Sequence, residues 1–327
     1  MSECRVGGAG CNVATMPKRA NGAERVVRDA VLAGIPAASR VVLAVSGGRD
    51  SMVLLDAAVR WRRGSVVAVA TFDHGTGTAA TVACELVRRV AAEAHVLVAH
   101  RRDEGLARTE AAWRAARWSF LREATRHFNA RVATAHTRDD QVETVFMRAL
   151  RGAGVRGLAG LYAPSPVVRP LLDVSRADVE AYAELRGVPF VSDPSNLSRD
   201  YLRNRVRLDL LPALERAHPG FAAALVALSR RAATWRDAVE RVVDAMEPRR
   251  EGDAVFVPSP PIESLDREAL VHVWPAIAGR AGIALDRRGT LRLTAFSVQR
   301  SGRGPVQIAG GFEVVRHPRS FEIRRAR

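Results

Sequence analysis

The chain has 327 residues, 47% of them apolar and 26% charged, which fits a folded protein with a main domain and a smaller one and excludes wholesale disorder. Lysine and arginine outnumber aspartate and glutamate by 15, and this excess of positive charge indicates a polyanionic partner. Apolar runs fall well short of the roughly 18 residues that a membrane span needs, and the N-terminus lacks the pattern of a secretory signal, so we expect a cytoplasmic protein with no membrane partner.

The three cysteines, Cys4, Cys11 and Cys84, include no C-x-x-C pair. An odd number of isolated cysteines predicts neither a disulfide framework nor a zinc or iron–sulfur site held by cysteine. Two of the three lie within residues 1 to 22, which we expect to form a flexible N-terminal leader.

Short β-branched runs alternate with helical segments from residue 40 onward. Strands are predicted at residues 41 to 45, 66 to 72, 95 to 100 and 131 to 136, and helices at residues 51 to 63, 79 to 94 and 109 to 128. Nearly continuous apolar strands are typical of a sheet that is buried on both faces. The order of strand, helix and strand therefore predicts an α/β fold, a parallel sheet with helices on both faces.

Later segments predict a second, smaller region. A helix opened by Ser175, with Asp178 at capping-box spacing, is closed by Gly187, and one long amphipathic helix is predicted from residue 221 to about 246. Short strands are predicted at residues 254 to 257, 305 to 309, 312 to 316 and 320 to 324, and PRREGD before them reads as a turn.

We place the domain boundary near residue 215. The α/β domain then comprises residues 23 to 215, and residues 216 to 327 form a helical and α+β C-terminal region. Residues 287 to 327 hold ten arginines against two acidic side chains, which makes this tail the most basic part of the chain.

The sharpest motif is SGGRDS, which follows the first predicted strand and opens the first predicted helix. Two glycines let the backbone bend so that successive N–H groups converge, two serines add hydroxyl donors, and the helix N-terminus adds its positive dipole end. The Walker A lysine is missing, so this is a different phosphate loop. The residues assigned to phosphate binding are Ser46, Gly47, Gly48, Arg49, Asp50 and Ser51.

A second polar string, AHTRDDQVETVFMRALRGAG, follows the fourth predicted strand. His136 is expected at the strand end, Asp139 as the helix N-cap, and Asp140 and Glu143 on the first turns. Ligands lie at the carboxyl ends of strands in an open α/β sheet, so this string should face SGGRDS. An acidic first turn would favour the helix dipole and explain Asp139 or Glu143 alone, but it does not explain His136 paired with Asp140.

The sequence resembles the PP-loop ATP pyrophosphatases and, within them, the tRNA(Ile)-lysidine synthase family. The blocks that carry the resemblance occur in the family's order: SGGRDS, FDHG, EAAWRAARW, AHTRDDQVET, RPLL, DPSN and YLRNRVR. They cover roughly residues 40 to 215, and Trp118 stands where the family usually has tyrosine.

The resemblance implies a two-step reaction that consumes ATP. The enzyme would adenylate the 2-oxo group of the wobble cytidine in tRNA(Ile) with a CAU anticodon and release pyrophosphate, and the ε-amino nitrogen of L-lysine would then displace AMP. In this family the loop aspartate, here Asp50, is associated with Mg²⁺ and pyrophosphate. Elementary electrostatics agrees, because a carboxylate inside a phosphate site is repulsive unless a cation lies between them.

Further site residues follow from the same resemblance. Asp140 is expected to take the proton of the lysine ammonium, and His136 to orient groups or neutralise phosphate. Arg114 and Arg117, three residues apart on one helix, would stabilise charge on the α-phosphate; arginines on a solvated helix face are the alternative. Asp73 and His74 are expected near the nucleotide, although satisfied polar residues at a strand end would look the same. The catalytic residues are thus Asp50, Arg114, Arg117, His136 and Asp140.

Contacts to the tRNA backbone are expected from the arginines of residues 201 to 207 and of the 287 to 327 tail. Family members are often dimers, which leaves a homodimer open. Three alternative functions also remain. The first is a PP-loop tRNA thiolation enzyme, which would need cysteines or an iron–sulfur cluster, and the second is a non-catalytic RNA-binding protein. The third is a small-molecule ATP pyrophosphatase, which would need an ammonia source.

Overall fold

The computed structural model describes residues 16 to 75, 77 to 103, 105, 109 to 192, 198 to 299 and 304 to 326. Residues 1 to 15 of the predicted leader and the DPSN string at residues 193 to 196 lie outside the described residues. At residues 16 to 22 the structure differs from the predicted flexible leader, because they begin helix α1 (Met16–Gly34). Later turns of α1 bury Val27 and Val31 in the main core, which anchors the helix.

The first part of the chain alternates helices and strands as predicted. After α1 come β1 (Val41–Ala44), α2 (Arg49–Arg62), β2 (Val66–Asp73), α3 (Thr78–Glu93), β3 (Val98–Arg102), α4 (Glu110–His127), β4 (Arg131–Thr134) and α5 (Arg138–Leu150). Strand β3 begins later than predicted because His95 adopts a positive φ of 53°, which places it in the turn that precedes the strand.

Strands β1 to β4 form a parallel sheet in the order β3-β2-β1-β4. Alternate residues of β1 face opposite sides, so Val41 and Leu43 belong to one core and Val42 to the other. Helices α1, α2 and α3, together with the later helix Arg176–Arg186, supply the first core, whereas α4 covers the second with Phe120 and Leu121. Burial of both faces explains the continuous apolar strands. The predicted α/β fold is confirmed.

The rest of the chain is mainly helical until a second sheet forms. The elements are α6 (Val155–Leu158), α7 (Arg176–Arg186), α8 (Leu202–Arg205), α9 (Leu211–Ala217), α10 (Phe221–Ala245), β5 (Arg249–Glu251), β6 (Ala254–Pro258), α11 (Ser259–Glu263), α12 (Arg267–Arg280), α13 (Arg287–Val298), β7 (Val306–Ile308), β8 (Phe312–Arg316) and β9 (Ser320–Arg325). Strands β5 to β9 form an antiparallel sheet in the order β5-β6-β9-β8-β7. Strand β5 was missed in the sequence, where its residues read as a turn.

The chain divides into two compact units at a different place from the predicted residue 215. One unit comprises Met1–Ala153 with Gly160–Ser229, and the other Gly154–Ala159 with Arg230–Arg327. The boundary falls inside α10 because its first residue, Phe221, lies 6.2 Å from the ring of Phe146, while Val243 is fully buried in the second core. The sequence analysis placed the boundary before α10, so it could not show that this continuous helix runs through both units.

The basic segment at residues 287 to 327 is part of the second unit's fold. It supplies α13 and strands β7 to β9, and Phe321 and Ile323 are fully buried. Arg324 pairs with Glu313 at 3.0 Å and with Glu322 at 3.4 Å. The guanidinium of Arg316 lies over the Phe321 ring at 4.9 Å. Some of these arginines are therefore committed to internal contacts.

Candidate active site

The SGGRDS string forms the turn between β1 and α2, as predicted. Gly47 has φ +81°, and a Cβ there would lie 2.7 Å from both Cβ and the carbonyl oxygen of Ala83 on α3. Gly48 is the N-cap of α2 and provides no side-chain cap. The Ser51 hydroxyl accepts from the Ser46 N–H at 3.2 Å and donates to the Gly48 carbonyl at 2.8 Å. This turn leaves the first N–H groups of α2 without side-chain partners, which suits an anion.

Asp50 and Arg49 occupy the first turn of α2 and form an ion pair with each other. Arg49 pairs with Glu180 of α7 at 2.8 Å, and its Nε lies 3.5 Å from Asp50 Oδ1. Asp50 Oδ1 is buried and has no hydrogen-bond partner. Burial raises the pKa of Asp50, and the charge of Asp140 raises it further against the opposing charge of Arg49. The two polar strings therefore face each other, as predicted from the strand order.

Helix α5 begins with a capping box made by Thr137 and Asp140, so the prediction of Asp139 as N-cap is wrong. The Thr137 hydroxyl accepts from the Asp140 N–H, while Asp140 Oδ2 accepts from the Thr137 N–H at 2.9 Å. Asp139 instead accepts from the Arg176 N–H at 2.7 Å, at the start of α7. Threonine and an acidic residue three positions later form a reciprocal cap.

Asp140 and Glu143 share a cluster of three arginines. Glu143 is only 1% exposed and accepts from Arg176 at 3.2 Å, from Arg203 at 2.8 Å and from Arg207 at 2.6 Å. Asp140 Oδ1 accepts from Arg203 at 3.0 Å. Burial alone would raise the pKa of Asp140, but the Thr137 N–H and the charge of Arg203 outweigh it, and the pKa is lowered.

The segment that carries Arg203 and Arg207 contains one turn of π-helix, Val206–Leu210, between α8 and α9. The N–H of Leu211 donates to the Val206 carbonyl, five residues back. Pro212 has no N–H, so the Leu208 carbonyl cannot receive the bond of a regular α-helix, and the wider turn is favoured. The sequence predicts that these arginines contact tRNA, but Arg203 and Arg207 bind carboxylates of α5 in this structure.

His136 follows the end of β4, and its Nδ1 lies 2.8 Å from the Thr134 hydroxyl. Burial lowers the pKa of His136 to about 4, with smaller contributions from Arg169, Arg203 and Arg117 that oppose the charge of Asp140. The imidazole is therefore neutral near pH 7. Neutralisation of phosphate by this residue would need a ligand that raises its pKa, whereas orientation by hydrogen bonding needs no change.

Asp73 and His74 lie at the end of β2 and differ in their contacts. Asp73 is 1% exposed and accepts from the Gly75 N–H at 2.8 Å and the Thr81 hydroxyl at 3.0 Å, so it closes a local turn. His74 Nδ1 is buried without a hydrogen-bond partner, and its ring lies 6.2 Å from Trp113. Burial and the charge of Arg117 lower the pKa of His74. His74, unlike Asp73, has unused hydrogen-bonding capacity.

The two arginines predicted on α4 have different surroundings. The charge of Arg117 acts on both His74 and His136, which brings it to the same end of the sheet. Arg114 is exposed, and no contact among the described residues brings it to the site. Sequence reasoning missed Arg176, Arg203 and Arg207 as partners of Glu143. The four-residue spacing of Arg203 and Arg207 in YLRNRVR was the available signal.

The chain is similar in sequence to known proteins. A family model described as a PP-loop domain matches residues 21 to 214. The tRNA(Ile)-lysidine synthase of Rhodopseudomonas palustris is 40% identical over 286 residues, which cover 83% of this chain and 78% of that protein. The tRNA(Ile)-lysidine synthase of Salinispora arenicola is 35% identical over 311 residues, 89% of this chain and 92% of that protein.

A solved structure supports the fold. The U34-tRNA thiolase NcsA of Methanococcus maripaludis, with its 4Fe–4S cluster, matches with a TM-score of 0.55 at 17% identity, over 66% of this chain and 79% of that one. The parallel sheet, the lysine-free phosphate loop and the matching family model define a PP-loop ATP-binding protein. Its extended similarity to the relatives above places the chain in the tRNA(Ile)-lysidine synthase family.

We expect Gly47→Ala to lower stability and to abolish ATP binding, because the added methyl meets the Ala83 backbone and the positive φ is unfavourable for alanine. Gly220→Ala is a matched control, since Gly220 has φ +91° but open space around its Cβ position. The control should lose about 1 kcal/mol from the conformational cost alone. Urea unfolding and calorimetric ATP titration of both variants would test this. Equal stability losses with intact ATP binding in Gly47→Ala would contradict it.

We expect the His136 imidazole to titrate near pH 4, because its burial disfavours the charged form. The unfolded chain binds this proton near its usual pKa of about 6.5. Stability is therefore lost as the pH falls from about 6.5 towards 4, by about 2 kcal/mol at pH 5. An NMR titration, with His136→Asn to assign the signal, measures the midpoint directly. A midpoint above 6 would show that the ring is not desolvated in solution.

Proposed function

We propose that the protein catalyses lysidine formation in tRNA(Ile) with a CAU anticodon. The 2-oxo oxygen of the wobble cytidine attacks the α-phosphorus of ATP, the bond to the β-phosphate breaks, and pyrophosphate leaves. The ε-amino nitrogen of L-lysine then attacks C2 of the activated base, AMP leaves with the former oxo oxygen, and the ammonium proton passes to a base. Acting on tRNA, the protein would work in the cytoplasm.

The observation that carries this proposal is the pairing of an uncapped phosphate loop with a buried carboxylate oxygen that has an ion pair at 3.5 Å to Arg49 but no hydrogen bond. The loop offers backbone N–H groups to phosphate, while Asp50 Oδ1 is buried with no hydrogen-bond partner and has a raised pKa. A buried carboxylate in these surroundings fits a cation and repels a bare phosphate. Both features belong to the same turn, so they favour ATP with a bound metal as the ligand.

The residues present fit Mg²⁺ shared with phosphate oxygens. Within the described ranges, no group of three or more His, Cys, Asp or Glu side chains forms a metal site of its own. Magnesium commonly takes one or two carboxylates, substrate phosphates and water, and Asp50 would be the protein ligand. Bound there, Mg²⁺ would neutralise charge on the departing pyrophosphate. Arg117, whose charge reaches both His74 and His136, would act on the α-phosphate.

In this proposal, the attack by lysine takes place on the side of the site that contains Asp140. A free lysine ammonium has a pKa of about 10.4, so a base must remove a proton before attack. Asp140 is close enough to influence Asp50 electrostatically, which supports a role beside the proposed adenylation site. Its lowered pKa and its bond to Arg203 weaken it as a base in the present arrangement. Lysine binding would therefore have to draw Arg203 away from Asp140 Oδ1 before proton transfer.

Sulfur transfer is less well supported. Cys84 is the one cysteine among the described residues, and it is buried and accepts a bond from the Thr71 hydroxyl at 3.3 Å. Burial raises the pKa of the Cys84 thiol, which disfavours the reactive thiolate.

A homodimer stays a prediction. The direct test of the proposed function is incubation with bulk tRNA, labelled lysine and Mg-ATP, with label in tRNA and release of AMP and pyrophosphate as the expected result.

We expect Asp50→Ala to block both half-reactions and Asp140→Asn to block lysine incorporation while adenylated tRNA still accumulates. The reason is that Asp50 serves the metal and pyrophosphate, whereas Asp140 serves the amine. Acid quench followed by nuclease digestion would detect the adenylated nucleoside. Asp50→Ala should leave tRNA affinity within about threefold, a change under 1 kcal/mol.

The matched control for this experiment is Glu143→Gln, which disturbs the same arginines without removing the proposed base. If Glu143→Gln and Asp140→Asn behave alike, the integrity of the arginine cluster explains both effects. If Asp140→Asn yields no adenylated tRNA, Asp140 belongs to the first half-reaction and the proposed division is wrong.

We also propose that exposed arginines of the second unit contact the tRNA backbone. Arg287, Arg288 and Arg292 on α13 are exposed, and none forms an ion pair with a described residue. Truncation of residues 287 to 327 would remove Phe321 and Ile323 from the second core, so it would test folding instead of binding. Substitution is the sharper experiment.

Replacing Arg287, Arg288 and Arg292 by glutamine should weaken tRNA binding and reduce the slope of log affinity against log salt by about one unit for each phosphate that the protein no longer neutralises. Arg324→Gln is the control, because Arg324 pairs internally with Glu313 and Glu322. It should lower thermal stability and leave the slope of the folded protein unchanged. An unchanged slope in the triple variant would place the tRNA contacts elsewhere.

A further inference from the structure

An open groove of about 680 Å³ runs between α3 and β3. Strand β3 is at the edge of the parallel sheet and pairs only with β2 among the described strands. The residues that line the groove come from both elements: Glu85, Arg88, Arg89, Ala92, Val98 and His100. We call this surface the β3 groove. No step of the proposed reaction uses it.

The β3 groove contains two arginines that have no ionic partner among the described residues. Arg88 and Arg89 are both exposed and form no ion pair there. Arg89 has Glu85 and Glu93 four residues away on either side, which is the usual spacing for helical ion pairs, yet it pairs with neither. By contrast, Arg101 of β3 pairs with Glu123 at 2.8 Å. The two guanidinium groups therefore keep their hydrogen-bond donors available to a ligand, while Glu85 in the same groove offsets part of their charge.

The outer edge of β3 adds backbone donors to the same surface. A strand that pairs on one side directs alternate N–H and C=O groups outward on the other. Outward N–H groups donate to phosphate oxygens in nucleic-acid complexes, and guanidinium groups bind phosphate through two parallel hydrogen bonds. An acidic protein surface would need apolar anchors as well, and the groove offers only Ala92 and Val98 as apolar lining.

The groove also connects to the phosphate loop through α3. Gly47 lies against Ala83 on this helix, and Arg88 follows five residues later. At 1.5 Å and about 100° per residue, Arg88 lies about 8 Å along the helix axis and about 140° around it from Ala83. The phosphate loop and the β3 groove therefore adjoin different faces of the same helix.

We propose that the β3 groove binds the sugar–phosphate backbone of the tRNA substrate through Arg88, Arg89 and the outer edge of β3. The proposal rests on the proposed function, because it takes tRNA as the polyanion. It assigns part of the chain's excess of 15 positive charges to a surface of the first unit. The contacts are to phosphate, so they strengthen binding without reading sequence.

The test compares Arg88→Gln/Arg89→Gln with Arg122→Gln/Arg126→Gln in the full-length protein. Arg122 and Arg126 are exposed on α4 and have no ion pair with a described residue, so both variants lose the same charge. Affinity for tRNA is measured by fluorescence anisotropy from about 50 to 200 mM salt, where phosphate contacts dominate the slope. The groove variant should lower the slope by about 1.5 units and weaken binding about tenfold. The α4 variant should change neither appreciably.

Lysine incorporation separates the groove from the proposed function. The groove variant should raise the KM for tRNA and keep kcat at saturating tRNA. Wild-type activity with equal slopes in both variants would overturn the groove proposal alone, whereas wild-type protein that neither binds nor modifies tRNA would overturn the proposed function. Loss of a dimer in the groove variant, with tRNA affinity unchanged, would make the groove an interface between copies and also overturn the proposal.

Discussion

The site depends on two carboxyl groups of α5 that are surrounded by guanidinium groups from other helices. A buried carboxylate is costly unless it is paired, and removal of one partner commonly costs about 3 to 5 kcal/mol. Arg176 comes from α7, while Arg203 and Arg207 come from the continuous segment of α8 and the π turn, so Glu143 holds two separate segments at the carboxyl edge of the sheet. The geometry of the crevice is thus fixed by charge pairing as much as by apolar packing.

The same arrangement sets the protonation of the site. Burial keeps His136 neutral near pH 7, and it raises the pKa of Asp50 while the nearby charge of Asp140 adds to that effect. Positive groups outnumber negative ones around α5, which suits a triphosphate, but the buried Asp50 oxygen that lacks a hydrogen bond is repulsive to it. Under the proposed function, phosphate affinity and metal dependence would both arise from this local distribution of charge.

Much of the fold could be predicted because its signals are local. The apolar runs that became β1 and β2 reflect burial on both faces, and Ser175 and Gly187 mark the ends of α7 as capping chemistry requires. The N-cap of α5 was predicted wrongly because two residues that can cap a helix stand close together in the sequence, and Thr137 rather than Asp139 caps α5. The partners of Glu143 lie 33 to 64 residues away in sequence, and such pairings leave no periodic pattern to read. The boundary between the units was missed because α10 is one continuous helix that runs from the first unit into the second.

The approach of Gly47 to Ala83 links two positions that no sequence motif joins. The phosphate loop rests directly on α3, and the gap between them has room for a hydrogen at one position and a methyl at the other. A larger side chain at position 83 would push the loop away as surely as one at position 47. Directed evolution of this loop would therefore have to vary α3 at the same time, although only the loop is proposed to contact the nucleotide.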